Sequence, residues 1–157
     1  MDITIEVNDY KLNVRAAGII IHNGKILLHR NKNSDHYALI GGRVAIGENS
    51  EDTIKREIKE ELGKDVEITG YISTIENFFA MRGSKYHEIM FVYKIEFARE
   101  EDKEIEYTIK NIEGKDYLQY EWIELEKVAE YEVVPKVIKD VLKENKFPTH
   151  KINDELN

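Results

Sequence analysis

The chain has 157 residues, which is enough for one compact domain, and we predict a single domain over residues 1–157. Its formal net charge of −8 argues against binding to a nucleic acid polymer, which needs clustered lysine and arginine. Because the sequence contains no cysteine, disulfides, thiol nucleophiles and thiolate metal sites are excluded, and any metal would be bound through oxygen or imidazole. No basic-then-apolar signal and no apolar run of about 20 residues is present. We therefore expect a cytoplasmic protein with no membrane partner.

Alternating and β-branched segments predict strands along much of the chain. Residues 14–21 and 25–29 flank Asn23-Gly24, a type I′ turn signal, and this arrangement predicts a hairpin. The charged segment at residues 99–116 indicates loops. The remaining predicted strands lie at residues 3–7, 37–40, 66–79, 86–97 and 120–123.

Two helices are predicted. The first spans residues 50–62, where Asn49 or Ser50 can cap the N-terminus and Gly63 can adopt the left-handed conformation that ends a helix. The second begins at Pro135 and extends to about residue 144. The order of strands, helix, strands and helix predicts an α/β (α+β) fold, with a mixed sheet between helices.

Three carboxylates fall within one turn of the first helix. At 100° per residue, Glu57, Glu60 and Glu61 share an arc of about 100° beside the apolar stripe. Carboxylates at this spacing repel each other by roughly 0.2–0.5 kcal/mol per pair on an exposed helix. A divalent cation such as Mg²⁺ or Mn²⁺ would convert this repulsion into ligation. Since glutamate-rich helices are more often solvated faces, the carboxylates alone do not establish a site.

The carboxylates belong to a longer motif, and that motif carries the functional signal. It reads Gly-x5-Glu-x7-Arg-Glu-U-x-Glu-Glu-x-Gly-U, where U is apolar, and its seven fixed letters would coincide by chance on the order of once in 10⁵ such chains. Two positions depart from the usual pattern: Lys64 replaces the last apolar residue, and Ile40 stands where proline is common. The matching residues are Gly42, Glu48, Arg56, Glu57, Ile58, Glu60, Glu61 and Gly63.

This motif resembles the Nudix box, and the flanking elements resemble a whole Nudix domain, an α/β/α sandwich with a mixed sheet. The resemblance implies a Nudix-type pyrophosphohydrolase that uses Mg²⁺ or Mn²⁺ to hydrolyse a diphosphate linkage in a nucleoside diphosphate derivative or a (d)NTP. By position, it implies Glu57 and Glu61 as metal ligands, with Glu60 as a third ligand or the base. The Gly42 carbonyl would add a backbone ligand. The supporting residues would be Glu48 and Arg56, and Arg56 also counts among the catalytic residues.

Other candidate residues lie outside the motif. Glu88 is the first candidate for the general base because it sits among apolar strand residues, although a wet strand face would equally explain it. The other base candidates are Glu76, Asp116 and Glu121. The candidate substrate-binding residues are Arg43, Phe78, Phe79 and Tyr86, with weaker support for Arg30 and Arg82, and the aromatic residues could equally belong to the core.

Two alternative functions share the same fold. A catalytically silent nucleotide-binding regulator would usually have lost carboxylates of the motif, and none is lost here. A Nudix-fold isomerase acting on an isoprenoid diphosphate would normally need a cysteine, which this chain lacks. No subfamily signature follows the motif, so the predicted partner is a small nucleotide-like molecule. We expect a monomer or a homodimer.

Overall fold

Strands dominate the computed structural model, which describes residues 1–103 and 108–157. The strands are β1 (Thr4–Val7), β2 (Tyr10–Ile19), β3 (Ile21–His22), β4 (Lys25–Asn31), β5 (His36–Arg43), β6 (Val66–Met81), β7 (Ser84–Phe97), β8 (Thr108–Lys110), β9 (Leu118–Glu124), β10 (Glu132–Val134) and β11 (Thr149–Asp154). The helices are α1 (Ser50–Leu62), α2 (Glu100–Lys103), α3 (Ile138–Val141) and a 3₁₀ helix (Leu125–Glu130).

Most strands pair in one mixed sheet with the order β11-β6-β7-β2-β5-β4-β9-β8. The pairs β2/β7, β6/β11 and β5/β10 are parallel, whereas β2/β5, β4/β5 and β6/β7 are antiparallel. Three short strands pair outside this order: β1 with β2, β3 with β4, and β10 with β5. This arrangement confirms the predicted class of a mixed sheet with helices, and it places β5 and its Gly-Gly pair near the middle of the sheet.

The helix α1 has the limits that the sequence predicts. The Oδ1 of Asn49 accepts a hydrogen bond from the backbone N–H of Asp52 at 2.8 Å, which caps the first turn. Gly63 ends the helix at φ 69°, and its N–H donates to the carbonyl of Lys59. Both end residues therefore act as their chemistry predicts.

The sheet has one hydrophobic cluster on each face. The face toward α1, called the α1 face below, carries Ile40, Tyr93 and Tyr120, which cluster with Ile54 and Ile58 of the helix. The opposite face, called the α3 face, packs on α3 and the 3₁₀ helix. Its buried members include Ala17, Leu28, Leu39, Met90, Val92, Ile138 and Val141. Because side chains alternate along a strand, these clusters define the face of every neighbouring side chain.

The predicted hairpin at Asn23-Gly24 is much shorter than expected. Both turn residues have positive φ, at 50° and 72°, as a type I′ turn requires. Only β3 and β4 pair across it, over two residues each. Strand β2 instead pairs with β5 on one side and β7 on the other, because β5 lies between β2 and β4.

The second predicted helix is also shorter than residues 135–144. Only Ile138–Val141 forms α3, and most surrounding hydrogen bonds link residues three apart, as from the N–H of Ile138 to the carbonyl of Pro135. Ile138 and Val141 are both fully buried, and a three-residue spacing aligns them on one side of a tight turn. The predicted loops at 99–116 contain α2 and β8, while residues 104–107 lie outside the described residues.

None of the helices in residues 1–103 and 108–157 has the length and apolar character needed to cross a membrane.

Candidate functional site

The loop between β5 and α1 is joined to the helix by a two-point ion pair. The Nε and Nη2 of Arg56 donate to the two carboxylate oxygens of Glu48 at 2.8 and 2.9 Å. Glu48 also accepts hydrogen bonds from the Thr53 hydroxyl and the Ala45 N–H. The Arg56 hydrogen bonds, opposed by burial and aided by the Thr53 hydroxyl, lower the pKa of Glu48 to about 2. Glu48 is therefore ionised at neutral pH and holds the loop against α1.

Glu57 lies directly against Gly42 of β5. A Cβ atom added to Gly42 would be 2.1 Å from the carboxylate carbon of Glu57, so no larger residue fits without displacing that carboxylate. The Nη1 of Arg56 donates to the Oε1 of Glu57 at 2.7 Å. No described residue donates a hydrogen bond to the other oxygen, Oε2. The glycine therefore makes room for a shielded carboxylate with one open oxygen.

Glu60 and Glu61 have different environments although they are adjacent in the chain. The side chain of Glu60 is 43% exposed, and it meets the Nη1 of Arg56 at 3.3 Å. Glu61 is only 5% exposed, and its Oε2 accepts a hydrogen bond from the Tyr120 hydroxyl at 2.8 Å. Burial raises the pKa of Glu61, and the nearby Glu57 carboxylate adds to the increase, while the Tyr120 hydrogen bond opposes it. Glu57 and Glu61 are thus close enough to repel each other.

These carboxylates fit a hard divalent cation by their chemistry. Glu57 and Glu61 lie one helical turn apart, and each has one oxygen without a described hydrogen-bond donor. Their mutual repulsion is the kind of interaction that a bound cation would reverse. Within residues 1–103 and 108–157, however, no three acidic, histidine or cysteine side chains already converge as a complete set of ligands. The Arg56 guanidinium takes one oxygen each of Glu57 and Glu60.

The structure does not bring Glu88 to this cluster. Glu88 alternates with Met90 and Val92 along β7, and both of those residues pack on the α3 face. Glu88 is 6% exposed, and its Oε1 accepts a hydrogen bond from the Nδ2 of Asn77 at 3.2 Å. The carboxylate therefore lies on the side of the sheet opposite α1. Its position among apolar strand residues, which made it the first base candidate in the sequence, does not place it beside the carboxylates of the motif.

The other base candidates are also separate from the cluster. Glu121 binds the Tyr37 hydroxyl at 2.6 Å and lies 3.6 Å from Arg30 on the α3 face. Glu76 binds the Nε2 of His150 at 2.7 Å. Asp116 is exposed in a turn before β9. Glu60 is the candidate base that the structure does place beside Glu57.

The candidate substrate-binding residues do not form one pocket. Phe79 stacks on Tyr86 with centroids 4.8 Å apart, and Phe78 meets His87 at 4.4 Å. Since Phe78 and Phe79 are consecutive in β6, these two ring pairs lie on opposite faces of the sheet. Arg43 donates to the Thr4 hydroxyl at 3.0 Å and lies 3.4 Å from Asp2. A substrate role for these side chains stays a prediction.

Three residues near the cluster were not identified from the sequence. Tyr120 binds Glu61, and the Nδ2 of Asn111 donates to the Tyr120 hydroxyl at 3.0 Å. The Nη2 of Arg15 donates to the Gly41 carbonyl at 3.2 Å, and its charge lowers the pKa of Glu61 slightly against the effect of burial. In the sequence, Tyr120 and Trp122 were identified only as part of the strand predicted at residues 120–123. Nothing in that pattern indicated which element would cover them.

Comparison with known proteins identifies the fold and the family. The NUDIX domain profile matches residues 12–143. No curated protein matches the sequence. Among solved structures, a MutT NUDIX hydrolase from Burkholderia pseudomallei has a TM-score of 0.65 and 22% identity, covering 86% of this chain and 98% of its own. A mutator MutT protein from Bacillus halodurans has a TM-score of 0.64 and 20% identity, covering 88% and 89%.

A third solved structure, an ADP-ribose pyrophosphatase from Streptococcus suis 89-1591, has a TM-score of 0.61 and 14% identity, covering 88% of this chain and 98% of its own. At such identities the likeness to these structures shows a shared fold. The profile match covers most of the chain and includes both β5 and α1. The chain therefore belongs to the NUDIX family, and the resemblance indicated by its sequence motif is confirmed.

Proposed function

We propose that this chain hydrolyses a diphosphate linkage in a nucleoside diphosphate derivative or a (d)NTP, and that it requires Mg²⁺ or Mn²⁺. One observation carries the proposal. Glu57 and Glu61 are held one turn apart with Gly42 beneath the first of them, and each has an open oxygen. Repelling carboxylates beside an apolar core are costly unless a cation binds between them.

Each side chain of the cluster would have its own role in binding the cation or in the reaction. Glu57 and Glu61 would bind the cation, with the Gly42 carbonyl as a backbone ligand. Arg56, fixed by Glu48, would orient Glu57 through its 2.7 Å hydrogen bond. Glu60 would complete the ligand set or accept a proton from the attacking water, because it is the exposed carboxylate of the three. A bound divalent cation supplies a Lewis acid that polarises a phosphate oxygen and lowers the pKa of water.

The solved structures that share this fold support the choice of linkage. They include proteins named as an ADP-ribose pyrophosphatase and as a UDP-X diphosphatase, and both names describe cleavage of a diphosphate. Nucleotide diphosphates linked to another group are therefore the first substrate class to test. The formal net charge of −8 makes a small substrate that arrives with its cation a better match than a nucleic acid polymer.

The proposal can be tested with a panel of nucleotides and nucleotide conjugates. Each is assayed with Mg²⁺ or Mn²⁺ for release of phosphate, pyrophosphate or nucleoside monophosphate. We expect turnover of at least one panel member, best above neutral pH, because water must be deprotonated. Excess chelator should abolish it, and adding back the cation should restore it. Full turnover of every substrate in chelator would contradict the proposed role of the metal.

A catalytically silent nucleotide-binding regulator is the second candidate. One observation favours it: Arg56 already occupies one oxygen each of Glu57 and Glu60, and no complete ligand set is assembled among the described residues. Calorimetry with the same panel distinguishes the two functions. A regulator would bind a nucleotide and leave it intact in excess Mg²⁺, whereas the hydrolase would consume it.

A further inference from the structure

The Tyr120 hydroxyl contacts the most deeply buried carboxylate of the cluster. Tyr120 is fully buried on β9, and its hydroxyl donates to the Oε2 of Glu61 at 2.8 Å. Glu61 lies at the C-terminal end of α1 and far along the sequence from Tyr120. This contact therefore links the carboxylate to a buried residue of the sheet and not only to its own helix.

Asn111 determines the direction of the Tyr120 hydrogen bond. The Oδ1 of Asn111 accepts from the backbone N–H groups of Glu113 and Lys115, at 2.8 and 3.3 Å. The Nδ2 must then face the Tyr120 hydroxyl, to which it donates at 3.0 Å. A phenol has a single proton, so a hydroxyl that accepts from Asn111 gives its proton to Glu61.

The segment that carries Asn111 is itself attached to α1. The N–H of Ile112 donates to the backbone carbonyl of Glu61 at 2.8 Å, and the Ile112 side chain lies against Gly63 at the helix end. The backbone and the side chain of Glu61 are thus both held from outside the helix. Such attachment leaves the Glu61 carboxylate little freedom to rotate.

We propose that Tyr120 is a positioning residue for metal binding, which holds the Oε2 of Glu61 so that only Oε1 faces the cation. This inference rests on the proposed function, since it takes Glu61 as a ligand. Glu61 then binds through one oxygen, and its orientation is set before the cation arrives. Residues that orient metal ligands in this way typically contribute 10–100-fold to metal affinity.

The test measures Mn²⁺ binding to the nucleotide-free protein by electron paramagnetic resonance, together with thermal melts in chelator. Tyr120→Phe keeps the ring and removes the hydroxyl, and we expect its Mn²⁺ dissociation constant to rise about 10–100-fold. Asn111→Ala removes the group that orients the hydroxyl, and its dissociation constant should lie between those of the unmodified protein and Tyr120→Phe. It also provides a second measurement if Tyr120→Phe does not fold.

Tyr37→Phe is the matched control. In the unmodified protein the Tyr37 hydroxyl also binds a carboxylate, donating to the Oε2 of Glu121 at 2.6 Å, but this contact lies on the α3 face. This variant should lose stability as Tyr120→Phe does while binding Mn²⁺ like the unmodified protein. Unchanged Mn²⁺ affinity in Tyr120→Phe would overturn the positioning role and leave the metal site intact. Absence of Mn²⁺ binding by the unmodified protein would overturn both the site and the inference that rests on it.

Discussion

The carboxylate carbon of Glu57 lies 2.1 Å from the point that a Cβ atom on Gly42 would occupy. The contact joins the middle of the sheet to the acidic turn of α1, and it explains why position 42 of β5 is a glycine. Gly42 is not in the left-handed region, so its conformation alone does not require glycine. The space taken by the Glu57 carboxylate does.

Gly42→Ala should therefore impair function more than folding. The clashing atoms are the far end of a flexible side chain, so Glu57 can move aside at small cost in stability. We expect a melting temperature within a few degrees of the unmodified protein and a loss of kcat/KM of about tenfold or more, as for a displaced metal ligand. Gly70→Ala is the control, because a Cβ there meets only an ordinary contact with Lys94 at 3.8 Å. Equal activity in both variants would show that the position of Glu57 is unimportant.

Glu57→Gln should separate metal binding from stability. The amide keeps the size of the side chain. Arg56 loses a charged partner, but the repulsion of Glu57 with Glu60 and Glu61 is also removed. Because these effects oppose each other, the stability in chelator should change by less than about 1 kcal/mol. Turnover in excess Mg²⁺ should fall by more than about 100-fold. Glu51→Gln, an exposed change on the same helix, is the control and should have neither effect. If Glu57→Gln melts at a much lower temperature but retains activity, Glu57 is a structural residue and not a metal ligand.

The Glu48–Arg56 pair predicts a specific response to acid. The pKa of Glu48 is lowered to about 2 in the folded chain from 4.5, so its contribution to stability is complete above about pH 4.5 and disappears as pH falls toward 2. Glu48→Gln should be less stable than the unmodified protein at pH 7 by about 1.5–3 kcal/mol, as for hydrogen bonds to a charged group. Urea unfolding at several pH values should show this gap closing between pH 4.5 and 2. A gap that does not vary with pH would mean that the charge of Glu48 contributes nothing.

Glu60→Gln and Glu88→Gln should differ in kinetics. Glu60 lies beside Glu57 on α1, whereas Glu88 lies on the opposite face of the sheet. A base acts in the transition state, so the loss of Glu60 should lower kcat with little change in KM, while Glu88→Gln should leave kcat within a few-fold. Steady-state kinetics at saturating Mg²⁺ tests both. A large loss of kcat in Glu88→Gln alone would place the base across the sheet from the metal ligands.

Local rules predicted much of this protein from its sequence. The limits of α1 follow from Asn49 and Gly63, and the positions of Glu57, Glu60 and Glu61 follow from helical geometry. The insertion of β5 between β2 and β4 could not be predicted, because strand order depends on contacts between distant segments. For the same reason, neither the Tyr120–Glu61 bond nor the face on which Glu88 lies could be assigned.

The polar side chains on the α3 face set the alignment of the strands. Glu88 lies opposite Asn13 on β2 and Asn77 on β6, and Asn153 on β11 donates to Asn77 at 2.9 Å. All four are buried, and each forms a hydrogen bond: Asn77 donates to Glu88 and accepts from Asn153, while Asn13 accepts from the Thr4 hydroxyl on β1. A slip of one residue between any two of these strands would turn a charged or amide group toward apolar residues. The row thus favours one pairing of the strands over every shifted alternative, and it gives Glu88 a role in fold specificity that requires no chemistry.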